Sequence, residues 1–154
     1  MKMSVVILDT DPMIESMVLD CVGESQADVE MMSETHAAKA FIQNQDVRLV
    51  VVNADLPKGW RFCTELKKDA QMSKIPLVIL SAKATDDVFH DHQKLPTRAD
   101  AYLKKPVMID QFRLAILAVL RGEILDVEVE DDLGIETPEN TEVNVGAEQA
   151  SSES

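Results

Sequence analysis

Seven polar residues stand directly behind short apolar runs, and together they have the composition of a cation or phosphate site. Asp9, Thr10 and Asp11 follow Val5-Val6-Ile7-Leu8, Asn53 and Asp55 follow Leu49-Val50-Val51-Val52, Ser81 follows Leu77-Val78-Ile79-Leu80, and Lys105 follows Tyr102-Leu103-Lys104. Carboxylates hold a hard cation such as Mg²⁺, and a lysine balances a phosphoryl anion. Each residue also has a local alternative. Asp9 or Thr10 could cap a following helix, and Ser81 could start another. Capping gives no reason for Lys105.

The runs that carry these residues read as strands of a parallel sheet. They are nearly continuous in Val, Ile and Leu, as strands buried on both faces must be, and they alternate with longer amphipathic stretches. Strands are expected at residues 4–8, 29–32, 49–53, 75–80 and 101–103, with Pro76 tolerated at the start of the fourth. Helices are expected from Asp11-Pro12 onward, where Pro suits the first turn, then around 37–42, 62–68, 84–95 and 108–121. This is a doubly wound α/β sheet of five parallel strands with helices on both faces. Ligands of such sheets bind at the carboxyl ends of the strands, which is where the seven residues fall.

Size and charge bound the rest. A chain of 154 residues holds one core, and a 45% apolar share with no apolar run near the roughly 18 residues of a membrane span fits a cytoplasmic globular protein. The apolar run at the N-terminus stops at Asp9 without a cleavage site, unlike a signal peptide. Cys21 and Cys63 fall in apolar helical patterns without ligand spacing, so both are expected as buried reduced thiols. The formal charge is -13, yet residues 122–154 hold eleven acids and no Lys or Arg, which leaves residues 1–121 at -2. Such a domain has no basic face for nucleic acid. Residues 122–154 read as an acidic, disordered tail or linker, beginning at Gly122, a usual place for a helix C-cap. Within it, Ile124-Leu125-Asp126-Val127 is the one stretch suited to a short helix or strand.

The order Leu8-Asp9-Thr10-Asp11-Pro12, Val52-Asn53-Ala54-Asp55-Leu56-Pro57, Ser81-Ala82 and Tyr102-Leu103-Lys104-Lys105-Pro106 resembles the bacterial response regulator receiver domain. The likeness spans residues 3–121 and implies the CheY-like strand order 2-1-3-4-5. It places Asp9 and Thr10 where the family has a pair of acids. Asn53, four residues before Pro57, stands at the phosphate-accepting Asp. Ser81 matches the hydroxyl that contacts the phosphoryl group, Lys105 the lysine before a frequently cis proline, and Tyr102 the aromatic switch.

Two departures follow from that placement. The amide of Asn53 is neutral, with its nitrogen lone pair held in resonance, and is not an aspartyl-phosphate nucleophile. The family's direct metal ligands map to Thr10, Asn53 and the backbone carbonyl of Asp55, so two anionic ligands are lost and Mg²⁺ binding is expected to be weak or lacking. Asp9 and Lys105 sum to zero charge, and Lys105 is expected to pair with Asp9 or to hydrogen-bond Asn53. The resemblance therefore implies a pseudo-receiver: a non-enzymatic module for protein contact in bacterial signal transduction, independent of phosphorylation. The opposing expectation is a conventional receiver phosphorylated with Mg²⁺ on a surrogate, Asp55 or Asp11. A third is a small-anion site at Ser81 and Lys105.

The stretch Val88-Phe89-His90-Asp91-His92-Gln93-Lys94-Leu95-Pro96 and its continuation to Val107 are similar to divergent receivers of FrzS-type motility regulators, which points toward motility or cell polarity. His90 and His92 are expected on a solvated helix face, because an i,i+2 pair does not converge on a metal. By resemblance, a protein partner is expected on the fourth helix, fifth strand and fifth helix, at Phe89, His92, Tyr102, Lys104, Val107 and Ile109. No nucleic acid or membrane partner is expected, and the chain should be a monomer or weak homodimer.

Overall fold

The computed structural model describes residues 2–125; expectations for residues 126–154 lie outside them. Five strands alternate with five helices: β1 (Met3–Leu8), α1 (Pro12–Val22), β2 (Ala27–Met32), α2 (Thr35–Asn44), β3 (Val47–Asn53), α3 (Gly59–Lys68), β4 (Leu77–Ser81), α4 (Asp86–His92), β5 (Ala101–Lys104) and α5 (Ile109–Leu120), with a 3-10 turn at Met72–Lys74. All pairings are parallel and the sheet order is β2-β1-β3-β4-β5, the order the resemblance implied.

Alternation along the strands feeds two cores. Val5, Ile7, Leu49, Val51, Val78 and Leu80 pack against Ile14 and Val18 of α1 and Phe112, Ile116 and Val119 of α5. Val6, Leu8, Val50, Val52, Leu77 and Ile79 pack against Ala38 and Ile42 of α2, Phe62, Cys63 and Leu66 of α3, and Phe89 of α4. Burying one such side chain stabilises the fold by about 1.5–3 kcal/mol, so both faces of the central strands hold the sheet in place. Cys63 is buried as expected, but Cys21 is only half-buried, because α1 turns it toward the rim beside Arg113.

Several boundaries differ for local reasons. β4 starts after Pro76, which contributes a carbonyl to Val50 N–H at 3.0 Å but has no N–H to extend the ladder. α3 starts earlier than expected, at Gly59, where a Cβ would lie 2.6 Å from the Ala54 carbonyl oxygen; glycine permits that backbone approach, and Lys58 before it takes a left-handed φ of 62°. α4 is shorter than 84–95. Thr85 caps it by accepting from Val88 N–H at 3.3 Å, and beyond His92 the chain closes in tight turns before Pro96. α5 ends at Leu120 and the chain turns at Gly122, with φ 85°, yet contacts run on to Leu125, whose N–H donates to the Asp100 carbonyl at 2.8 Å. Among the described residues no helix is long and apolar enough to cross a membrane.

Candidate functional site

The register brings the seven polar residues to one edge. Leu8 pairs with Val52, Asn53 with Leu80, and Ser81 with Lys104, so Asp9, Asn53, Ser81 and Lys105 emerge side by side at the carboxyl ends of β1, β3, β4 and β5. Asp9, Asn53 and Ser81 are buried, and a buried polar group must find partners.

Asp9 is the hub. Its Oδ1 accepts from Thr10 N–H at 2.7 Å, Asp11 N–H at 3.3 Å and the Asn53 side-chain amide at 3.1 Å. Its Oδ2 accepts from Lys105 Nζ at 3.0 Å. Lys105 also lies 3.7 Å from Asp11. Of the two partners expected for Lys105, the structure shows Asp9. Neither Asp9 nor Thr10 caps α1. Asp11 does, accepting from Met13 N–H at 3.0 Å, because Asp9 is already turned inward to Asn53 and Lys105.

Asp55 forms a second group in the turn after β3. Its Oδ1 accepts from the Ser81 hydroxyl at 2.6 Å, and its Oδ2 from Ala82 N–H at 2.7 Å and Lys83 N–H at 3.3 Å. Its own N–H donates to Asn53 Oδ1 at 3.0 Å, so Asn53 links the two groups. Burial alone would raise the Asp55 pKa, but the Ser81 hydroxyl and the N–H groups of Ala82 and Lys83 outweigh it and hold the carboxyl below its usual range. Ser81 in turn accepts from Ala84 N–H at 2.9 Å. It therefore organises the turn before α4, while Thr85 caps that helix.

This donor set does not fit magnesium. Mg²⁺ asks for carboxylate oxygens in a near-octahedral shell. Asp9 is committed to four donors, Asn53 offers a neutral oxygen that already accepts from Asp55, and Thr10 replaces an acid. Among the described residues no three His, Cys, Asp or Glu side chains gather into a metal-holding group.

Beside the pocket lies an aromatic cluster. Tyr102 points into the protein, and its hydroxyl accepts from Ala99 N–H at 3.0 Å and meets His92 Nδ1 at 2.6 Å. Burial lowers the His92 pKa and raises that of Tyr102 to about 12. Trp60 of α3 packs at a tilt against both rings, its centroid 5.1 Å from that of His92 and 6.4 Å from that of Phe89. Thus His92 is not on a solvated face. Phe89 and Tyr102, expected at a partner surface, are only 2% and 8% exposed and support that face from beneath. Lys104 is exposed, and Val107 and Ile109 are partly so. The sequence reading missed Trp60; its position one residue after Gly59, on the apolar side of α3 with Phe62 and Cys63, was the available signal.

Comparison with known proteins agrees with this geometry. The family model "Response regulator receiver domain" matches residues 5–117. The chain is 25% identical over 130 residues to the heme response regulator HssR of Staphylococcus saprophyticus, covering 83% of this chain and 56% of that protein. It is 25% identical over 144 residues to the response regulator Rre1 of Synechocystis sp., covering 91% of this chain and 59% of that protein. The chain thus spans between half and two thirds of those regulators. A response regulator from Thermotoga maritima superposes with a TM-score of 0.65 at 16% identity, covering 79% of this chain and 99% of that one, which shows the fold. With its strand order, pocket placement and family match in agreement, the chain belongs to the response regulator receiver domain family of two-component signalling.

Proposed function

We propose that this receiver signals by protein contact without aspartyl phosphorylation. One observation carries the reading: the residue at the acceptor position, Asn53, donates its amide to Asp9 while Lys105 closes on the other oxygen of the same carboxylate. The pocket is satisfied by its own side chains and has no spare anionic ligand for Mg²⁺. Asp55 is a poor surrogate, because both its oxygens are held by Ser81 and the following N–H groups, and a carboxyl of lowered pKa is a weaker nucleophile. Asp11 caps α1. The same carboxylate of Asp55 sits in a nest of a hydroxyl and two N–H groups, where an anion is held, so it supplies a fixed negative charge beside Ser81.

The output surface we assign is α4, β5 and α5. Val88, Lys104, Met108 and Leu114 are exposed there, over a floor of Phe89 and Tyr102. With Tyr102 held inward at both ends of its hydroxyl, that surface has one fixed shape. A role in motility or cell polarity belongs to the same proposal and rests on the likeness of residues 88–107 to FrzS-type receivers.

Incubation with acetyl phosphate and Mg²⁺ followed by intact mass tests the reading. No mass gain is expected. A hydroxylamine-labile gain of about 80 Da, one phosphoryl group, would overturn it, and peptide mapping would show whether Asp55 or Asp11 carries the group.

A further inference from the structure

We propose that Asp55 is a positioning residue for α4: its carboxylate is an internal anion that holds the β4–α4 turn in one shape, with no group added to the pocket. The hydrogen bonds of the turn carry this assignment. Ser81 has one hydroxyl proton, and it goes to Asp55 Oδ1 at 2.6 Å. The hydroxyl oxygen is thereby turned toward the chain ahead, where it accepts from Lys83 N–H at 3.2 Å and Ala84 N–H at 2.9 Å. The other carboxylate oxygen accepts from Ala82 N–H at 2.7 Å and shares Lys83 N–H at 3.3 Å. Three consecutive N–H groups thus converge on two oxygens, Oδ2 of Asp55 and Oγ of Ser81. Each N–H carries a partial positive charge, and successive N–H groups that point together form a seat for an anion.

The seated carboxylate comes from outside the turn, 26 residues before Ser81, and the end of β3 fixes its place. Ala54 N–H donates to the Leu80 carbonyl at 2.8 Å, one step past the pairing of Asn53 with Leu80. Asp55 N–H donates to Asn53 Oδ1 at 3.0 Å, and Leu56 N–H to the Asn53 carbonyl at 3.2 Å. The close approach of Gly59 to Ala54 leaves the segment no room to slide. Asn53 must accept from Asp55 and donate to Asp9 at the same time. A neutral amide does both, whereas a carboxylate only accepts. The charge of Lys83 adds to the attraction that keeps Asp55 ionised.

The turn passes its shape directly to α4. Immediately after Ala84, Thr85 accepts from Val88 N–H at its hydroxyl and from Phe89 N–H, at 3.2 Å, at its carbonyl. The Phe89 ring is 5.3 Å from that of Tyr102, and the Ser81 carbonyl accepts from Lys105 N–H at 2.9 Å, so both ends of the turn are tied to β5 or to its neighbours. A change at residues 82–84 therefore moves the first turn of α4 against that floor. What this does to a partner surface rests on the reading given under the proposed function; the hold of Asp55 on the turn does not.

Amide shifts and hydrogen exchange by NMR on the full chain read the turn directly. Asp55→Ala should shift the Ala82, Lys83 and Ala84 amides, speed their exchange by about tenfold or more, and carry the change into Val88 and Phe89. Acetate added to this variant supplies the missing carboxylate, so the same amides should return saturably toward their wild-type positions, whereas sodium chloride at matched ionic strength leaves them shifted. The wild type, with its own carboxylate seated, should not respond to acetate at those amides. Asp55→Ala combined with Ser81→Ala should lose most of the acetate response. Asp55→Asn keeps the volume of the side chain but has one acceptor oxygen in place of two; the three turn amides should shift in it too, while Val78 and Ile79 of β4 keep their wild-type exchange. Shifts confined to residues 54–57 in both variants would overturn the proposal. An equal acetate response in the wild type, or none in Asp55→Ala, would do the same. No phosphoryl donor is used, so the outcome is separate from that of the mass measurement on acetyl phosphate.

Discussion

Asn53 differs from aspartate by one NH₂ group, and in this pocket that group is in use as the donor to Asp9. Asn53→Asp removes the donor and sets a second carboxylate against the first across the 3.1 Å now spanned by a hydrogen bond. The variant is expected to lose about 1–3 kcal/mol of unfolding free energy at neutral pH, read by urea titration, with the loss shrinking in acid as the pair takes up a shared proton. It should not gain full Mg²⁺-dependent labelling by acetyl phosphate, since Thr10 still lacks the second anion. Lys105→Met leaves the Asp9 charge, with its side chain 1% exposed, without its counter-ion. About 3 kcal/mol of destabilisation is expected, and an unchanged urea midpoint would mean that Asn53 and the Thr10 and Asp11 N–H groups suffice. The Asp9–Lys105 pair was legible from residue type and strand-end position. The capture of Asp55 by Ser81 was not, because it depends on the turn at residues 54–58, whose path is set by the close approach of Gly59 to Ala54.

At the level of elements, strands read true wherever the apolar run was long, as in β3, and helices wherever the apolar period was strong, as in α5. α4 read less well because half of its pattern is charged and its contacts are tertiary: Phe89 and His92 meet Trp60 and Tyr102 from other elements, which no local periodicity reveals. Gly59→Ala tests the β3–α3 turn. A helix gains about 1 kcal/mol from such a change by propensity alone, but the methyl group would meet backbone at 2.6 Å, and a net loss of roughly 1–3 kcal/mol is expected. A stabilised variant would show that the turn can open. His92 gives α4 a pH dependence. Its folded pKa lies below the ordinary 6.5 of a free histidine because burial disfavours the cation, so below that pH the unfolded chain takes the proton first. Stability should be full above about 6.5, fall as pH drops toward the folded value and then level off, and the slope should vanish in His92→Phe. An identical slope in both proteins would place the titration elsewhere.

For the whole molecule, the charge is divided rather than spread. Residues 1–121 are nearly balanced at -2, while the eleven acids of residues 122–154 account for the rest of the formal -13. An acidic segment beside a domain with exposed Lys104 makes its contacts sensitive to ionic strength. The chain also carries one tryptophan, Trp60, and it stands against the ring of His92. An imidazolium quenches indole emission where a neutral imidazole does so weakly. Trp60 is thus placed as a built-in optical gauge: its emission is expected to follow the protonation and seating of His92, and through it Tyr102, without any label attached.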